Sequence, residues 1–206
     1  MNFDTLLIAT KNRKKIGEFR ALLDNSSISL LDLTDLHDVE EVDETGETFE
    51  ANAKLKASAY ARATNVWSLA DDSGLEVDAL AGKPGVHSAR WASMHDRGSG
   101  DSANNALLLE QLTDVNDDAR TARFVCVLEL ADPTGQIILT ARDHVEGRIL
   151  RAPQGTNGFG YDPLFFIPSF GRSMAQLSAQ EKHAISHRGK AMKKMIALMR
   201  DEQFIK

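Results

Sequence analysis

Hydrophobic positions fall in short runs separated by polar turns, and their spacing predicts strands alternating with helices. Leu6-Leu7-Ile8-Ala9 is a continuous apolar run of strand length and reads as a buried first strand. Lys11-Asn12-Arg13 makes the turn after it. Ile16, Phe19, Leu22 and Leu23 then recur at helical spacing, predicting a helix over residues 13–24. Residues 28–33, with Ile28, Leu30, Leu31 and Leu33 apolar, read as a second strand. Strand, helix, strand in this order predicts a βαβ unit and an α/β fold.

Residues 35–46 are acidic and carry no periodicity. Thr48 then opens a long helix to about Thr64. At about 100° per residue, Phe49, Ala53 and Tyr60 share one stripe of that helix, and Lys56 falls in the same stripe. Lysines are seldom buried without a partner. Lys56 therefore either runs its stem out past its neighbours or points its ammonium into a charged cleft.

The stretch Asp71-Asp72-Ser73-Gly74 follows the apolar segment that ends at Ala70 and precedes Leu75-Glu76-Val77. It predicts a strand that ends in the two adjacent carboxylates, with Leu69 to Asp72 and Leu75 to Val77 as the flanking segments. Like charges so placed call for a metal, a lysine or a bound substrate. Residues 82–85 read as a turn and residues 103–112 as a helix. Residues 121–131 and 136–147 predict two long strands joined at Asp132-Pro133-Thr134-Gly135, a good hairpin connection. A glycine-rich stretch over 155–163 leads to a short strand at 165–167. The final helix, residues 188–200, buries Met192, Met195, Ile196 and Met199. No repeat or flexible linker divides the chain, so the sequence predicts one folding unit over residues 1–206.

Composition narrows the classes. The formal net charge of −6 over 206 residues argues against a broad nucleic-acid or anionic-membrane surface. The single cysteine, Cys126, sits in an apolar run, permits no intrachain disulfide and reads as a small buried hydrophobe. No apolar run approaches the roughly 20 residues that span a bilayer, and the first residues lack the pattern of a secretory signal. A cytoplasmic protein is expected.

Four constellations carry chemistry. Thr10-Lys11-Asn12-Arg13-Lys14-Lys15 sits where a strand gives way to a helix, whose first N–H groups and positive dipole end suit phosphate. The carboxylates of Asp43, Glu44, Glu47, Glu50, Asp71 and Asp72 suit magnesium, which takes one or two carboxylates together with substrate phosphates. Ser186-His187-Arg188 opens the last helix just after Lys182, offering donors for a phosphate or a base. Gly158-Phe159-Gly160-Tyr161-Asp162 flanks an aromatic ring with glycines, so that backbone can approach a ligand while the ring stacks on it. Each alone also has a plain structural explanation: a solvated basic turn, an acidic loop, a capped helix, a tight turn with packed rings.

Taken together, ATKNRKK from residue 9, ETGETFEANAKLKA from 44, LADDSGLEVDALAGKPGVHSARW from 69, GFGYDPLF from 158 and EKHAISHRGKA from 181 give the chain a close resemblance to the inosine triphosphate pyrophosphatases. The matching segments run nearly end to end. The resemblance implies an elongated mixed β-sheet with flanking helices, two lobes around a central active-site cleft, and a homodimer. It implies hydrolysis of the deaminated purine triphosphates ITP, dITP and XTP to monophosphate and pyrophosphate, with Mg2+ as cofactor, and no nucleic-acid or membrane partner. It assigns Thr10, Lys11, Asn12, Arg13, Lys14 and Lys15 to the triphosphate, and Glu44 and Asp72 to the metal. Asp72 is also the proton acceptor, Lys56 faces the phosphates and Ser73 contacts substrate. Phe159, Gly160, Tyr161 and Asp162 form the base-recognition loop, and Lys182, His187 and Arg188 bind substrate. Backbone amides near Phe159, with His187 and Arg188, are the expected donors to the 6-oxo group of the base. The chain departs from the family pattern at Ala51, Gln176 and His183, none of them a core catalytic position. The competing readings are a Maf-type pyrophosphatase acting on pyrimidine or modified nucleotides, and a nucleotide sensor without hydrolysis.

Overall fold

A computed structural model describes residues 4–23, 28–36 and 39–204. The predicted end of the first helix at residue 24, and residues 37 and 38 of the acidic stretch, lie outside the described residues. The elements are β1 (Thr5–Ile8), α1 (Arg13–Leu23), β2 (Ser29–Asp32), α2 (Phe49–Thr64), β3 (Trp67–Val77), α3 (Gly100–Gln111), β4 (Thr121–Ala131), β5 (Ile137–Ile149), β6 (Phe165–Ile167), β7 (Arg172–Ser173), α4 (Ala179–Ile185) and α5 (His187–Asp201). They form a mixed seven-stranded sheet, in the order β2-β1-β3-β4-β5-β6-β7, with flanking helices. β1 pairs in parallel with both β2 and β3, as the βαβ reading expects. The pairs β5–β6 and β6–β7 are antiparallel.

The chain divides into two compact units. The first comprises residues 1–72, 126–143 and 188–206; the second comprises 73–125 and 144–187. In the first unit, the strands are apolar on both faces because helices cover both. Leu6, Ile8 and Leu69 pack with Phe19 and Leu23 of α1 and with Met192, Met195 and Met199 of α5. Leu7 and Ala70 pack on the other face with Ala57, Tyr60 and Ala61 of α2. Cys126 is wholly buried, and burial pushes its thiol up to about 12, so it behaves as the apolar residue expected. In the second unit, Leu75 and Val77 pack with Leu108, Phe124, Phe165 and Met174.

Two sequence expectations need correction. The Asp71-Asp72-Ser73-Gly74 stretch is not a strand end: β3 runs unbroken from Trp67 to Val77 through it. Serine and glycine favour turns in isolation, but β4 lies beside β3 in the sheet, while β1 pairs it only as far as Leu69, and context outweighs propensity here. α3 also starts earlier than predicted, at Gly100, so it includes Asp101. Among the described residues, no helix is long and apolar enough to cross a membrane.

Candidate active site

Two groups of the sequence-predicted residues assemble, one in each unit. In the first unit, β3 places Asp71 and Asp72 side by side in sequence, and strand alternation sends them to opposite faces. Asp71 follows Leu69 onto the α1 and α5 face, where Lys15 Nζ lies 2.8 Å and Arg188 Nε 3.6 Å from its Oδ2. Arg188 also donates through Nη1 to Glu18 of α1. Burial alone pushes the Asp71 carboxyl up, but Lys15, Arg188 and Lys56 more than offset it and hold it well below the usual carboxylate range.

Asp72 follows Ala70 onto the α2 face. Asn52 Nδ2 donates to Asp72 Oδ2 at 3.2 Å, and Lys56 Nζ lies 3.6 Å from Oδ1. The same ammonium bonds Glu44 Oε1. Lys56 is buried at 9% exposure, so the cleft reading of this lysine holds over the solvent-directed one. Burial acts against its charge, but Asp72, Asp71 and Glu44 raise its pKa overall. Burial pushes Asp72 up to about 6; Lys56 opposes this, and Glu44 and Asp71 reinforce it. The two shifts are consistent. Two carboxylates share one ammonium, which keeps its proton firmly, while burial first, and then the neighbouring negative charge, draws Asp72 towards its neutral form. The arrangement is short of one cation. Among the described residues, no three acidic, histidine or cysteine side chains converge as a metal cage. Glu44 and Asp72 fit instead a hard cation completed by a ligand's oxygens.

The Thr10–Lys15 segment is partly self-satisfied. Asn12 Oδ1 accepts from the backbone N–H of Lys14 at 3.0 Å and of Lys15 at 3.3 Å, capping α1. Asn12 N donates to Thr10 Oγ1 at 3.2 Å. Two of the first-turn N–H groups expected to be open to phosphate, those of Lys14 and Lys15, are thus filled by Asn12, whose Nδ2 retains its donor capacity. Lys11, Arg13 and Lys14 are exposed, and Lys11 lies 3.5 Å from Glu41.

In the second unit, Asp162 organises the glycine-rich loop. Its Oδ2 accepts from Phe159 N and from Lys182 Nζ, each at 2.8 Å. Lys182 Nζ also lies 4.8 Å from the centre of the Phe159 ring, a cation–π arrangement. Gly158, at φ +78°, allows the close approach: a Cβ there would meet Asp162 Oδ2 at 2.0 Å. Tyr161 turns into the core, and its hydroxyl donates to the Ser88 carbonyl at 2.9 Å. His187 is buried and stacks on Phe124 with ring centres 4.9 Å apart. Ser73 is half-buried on β3.

The amides near Phe159 that sequence reasoning offered to the base are already engaged. Phe159 N serves Asp162, and Gly160 N donates to Asp101 Oδ2 at 2.8 Å. Sequence reasoning also passed over Asn52, Glu18, Asp101 and Asn105. The available signal was helical spacing: Asn52 precedes Lys56 by four residues, Glu18 follows Lys15 by three, and Asp101 and Asn105 are four apart.

The model of the Ham1 family matches residues 6–198. A dITP/XTP pyrophosphatase of Exiguobacterium sibiricum is 52% identical over 194 residues, covering 94% of this chain and 96% of the relative. The structure of a HAM1 protein from Coxiella burnetii superposes with a TM-score of 0.87 at 38% identity, covering 97% of this chain and all of that one. The Staphylococcus aureus Ham1 protein gives 0.84 at 39% identity, with 96% and 99% covered. With the family's pattern matched along almost its whole length and its fold reproduced, this chain belongs to the Ham1 family.

Proposed function

We propose that the protein is a nucleoside-triphosphate pyrophosphatase that hydrolyses ITP, dITP and XTP to the monophosphate and pyrophosphate. The observation that carries the reading is the meeting of Glu44 and Asp72 on the Lys56 ammonium, a cation-short site beside a basic strand-to-helix turn. The name of the Exiguobacterium relative supports the substrate class. Magnesium is the proposed cofactor, held by Glu44 and Asp72. When bound, it supplies charge neutralisation to phosphate oxygens.

The chain's own residues divide the remaining work. Lys56 neutralises charge that develops on the phosphates, in a site where burial strengthens its effect. Asp72 takes a proton from the water that attacks the α-phosphorus; the α–β anhydride bond breaks and pyrophosphate leaves with the bonding pair. This requires Asp72 ionised, which Lys56 favours. Thr10, Asn12 and Lys15 bind the phosphate chain, with Lys15 oriented by Asp71. Phosphoryl-type transfer needs mostly such positioning. Phe159 offers a face for the purine, and Lys182, His187 and Arg188 are the proposed donors to its 6-oxo group. Adenine, which has an amino donor there, leaves such donors unpaired at about 1–3 kcal/mol each.

Pyrophosphate release with magnesium, measured on inosine, xanthosine, guanosine, adenosine and uridine triphosphates, tests the reading. Turnover of the first two well above the rest is expected. Equal efficiency on all, or turnover of uridine triphosphate alone, overturns it. The homodimer is part of the same proposal, and light scattering on the eluted protein checks it.

A further inference from the structure

We propose that Asp101 and Asn105 of α3 are positioning residues for base recognition, fixing the backbone of Gly160 and through it the direction of the Phe159 ring. The inference rests on the reading of residues 159–162 as the loop that meets the base.

Asp101 and Asn105 stand four residues apart, so their side chains leave the same face of α3 one turn apart. Both end on Gly160. Its N–H donates to Asp101 Oδ2 at 2.8 Å, and its carbonyl accepts from Asn105 Nδ2 at 2.9 Å. These two groups belong to different peptide units. The N–H lies in the plane that joins Phe159 to Gly160, the carbonyl in the plane that joins Gly160 to Tyr161. On the other side of Phe159, its own N–H donates to Asp162 Oδ2 at 2.8 Å. Both peptide planes flanking Phe159 are therefore held by side chains. With the backbone held, the ring direction is restricted to a few staggered choices. Tyr161 next door is anchored in the core through Ser88, so the loop cannot relieve a loss at Gly160 by shifting as a body.

The chemistry of the two contacts differs. Asp101 lies in the first turn of α3, where the helix dipole favours its charge, and makes a charge-assisted bond to the Gly160 amide. Asn105 bonds the carbonyl only as a donor. Its Oδ1 is buried without a hydrogen-bond partner. An asparagine with half of its amide unsatisfied costs stability, so packing alone does not account for it; the Gly160 bond is what it supplies.

Asp101→Ala and Asn105→Ala should each raise KM for inosine triphosphate about three- to tenfold, the size of one lost hydrogen bond, with kcat little changed. The kcat/KM preference for inosine over guanosine triphosphate should narrow by a similar factor. Asp101→Asn keeps an acceptor for the Gly160 amide and should restore the preference. Asn105→Asp loses the donor and sets a carboxylate against a carbonyl, so it should be at least as impaired as alanine. Phe159→Ala is the control. If it collapses the preference while Asp101→Ala and Asn105→Ala leave it intact, the positioning role is wrong. If Phe159→Ala also leaves it intact, the reading of the loop itself falls. Asp101 is exposed, so its variants carry the test should an Asn105 variant fail to fold.

Discussion

Asp71 and Asp72 are neighbours in sequence and serve opposite faces of the sheet. Asp71 Oδ2 meets Lys15 and Arg188 on the side of α1 and α5, and Asp72 meets Asn52 and Lys56 on the side of α2. The strand's period of two does this without any special backbone. It lessens the repulsion that two adjacent acids would otherwise suffer, because each faces cations on its own side. It also separates their roles. Asp71 is a buried carboxylate fully committed to a charge network, and Asp72 sits in a group with negative charge to spare.

The two aspartates should therefore fail in different ways. Asp71→Asn removes the charge that compensates buried Arg188 and Lys15, and breaking a buried pair typically costs about 3–5 kcal/mol. Urea denaturation should show a loss of that order. Asp72→Asn should not destabilise the fold, since the folded site disfavours its charge, yet should lower turnover by about 10²-fold or more. Equal destabilisation by both would sink this division.

The sequence was a good guide wherever one period dominated. The apolar run of β1, the Phe19 stripe of α1 and the hairpin at residues 132–135 needed only nearest neighbours to specify them. The helical stripe, a local property, also placed Lys56 on the inner face, but left open whether its ammonium turns inward or out to solvent. What escaped was set by contacts distant in sequence. The β3 strand runs on past the two acids that read as a strand end, with β4 beside it in the sheet. Asp101 lies 59 residues from the amide it accepts from, and nothing near it in sequence marks that pairing.

Asn52 is the link between the acidic loop and β3. It is fully buried, its Oδ1 accepts from Gly46 N at 2.7 Å, and its Nδ2 donates to Asp72. One amide thus sets where Glu44, two residues before Gly46, stands relative to Asp72. Supporting residues of this kind typically cost 10–100-fold in metal affinity when removed. Magnesium should raise the Tm of the intact protein, and Asn52→Ala should need about tenfold more magnesium for the same rise. Glu44→Gln serves as the control: if it responds like the intact protein, the metal assignment itself is wrong, whereas an unaltered response in Asn52→Ala alone removes only the linking role.

Glu181 gives a pH-dependent contribution. It closes the capping box of α4, accepting from Ser178 N at 2.8 Å, and it accepts from Arg172 Nη2 at 2.6 Å. The Ser178 backbone bond first, then Arg172 and the Ser178 side chain, lower its pKa from 4.5 to about 2. A depressed acid stabilises the fold fully above its unfolded pKa and loses that contribution as pH falls through the folded one. The Tm gap between the intact protein and Glu181→Gln should be constant above about pH 5, shrink below 4.5 and close near 2. A gap that does not change with pH would show that the charge contributes nothing.

Arg120 tests how α3, and with it Asp101 and Asn105, is held. Its guanidinium is buried and fans onto three carbonyls: Nε to Ile149 at 2.8 Å, Nη1 to Leu112 at 2.6 Å and Nη2 to Leu150 at 2.9 Å. Leu112 caps the C-terminus of α3, where carbonyls have no partner within the helix. One planar fork thus ties the helix end to the end of β5. Arg120→Ala takes a donor from three carbonyls; that of Leu112 keeps Val115 N at 3.1 Å, and a buried acceptor left unpaired costs about 1–3 kcal/mol. A net loss of about 3–5 kcal/mol in urea denaturation is expected. Arg120→Lys brings a single point donor on a flexible stem, reaches one carbonyl at a time and should recover less than half of that. If lysine restores full stability, the fan geometry is not what holds the helix. If it does not, loosening α3 should also narrow the preference for inosine over guanosine triphosphate in the Arg120→Lys protein, although Arg120 touches no part of the glycine loop.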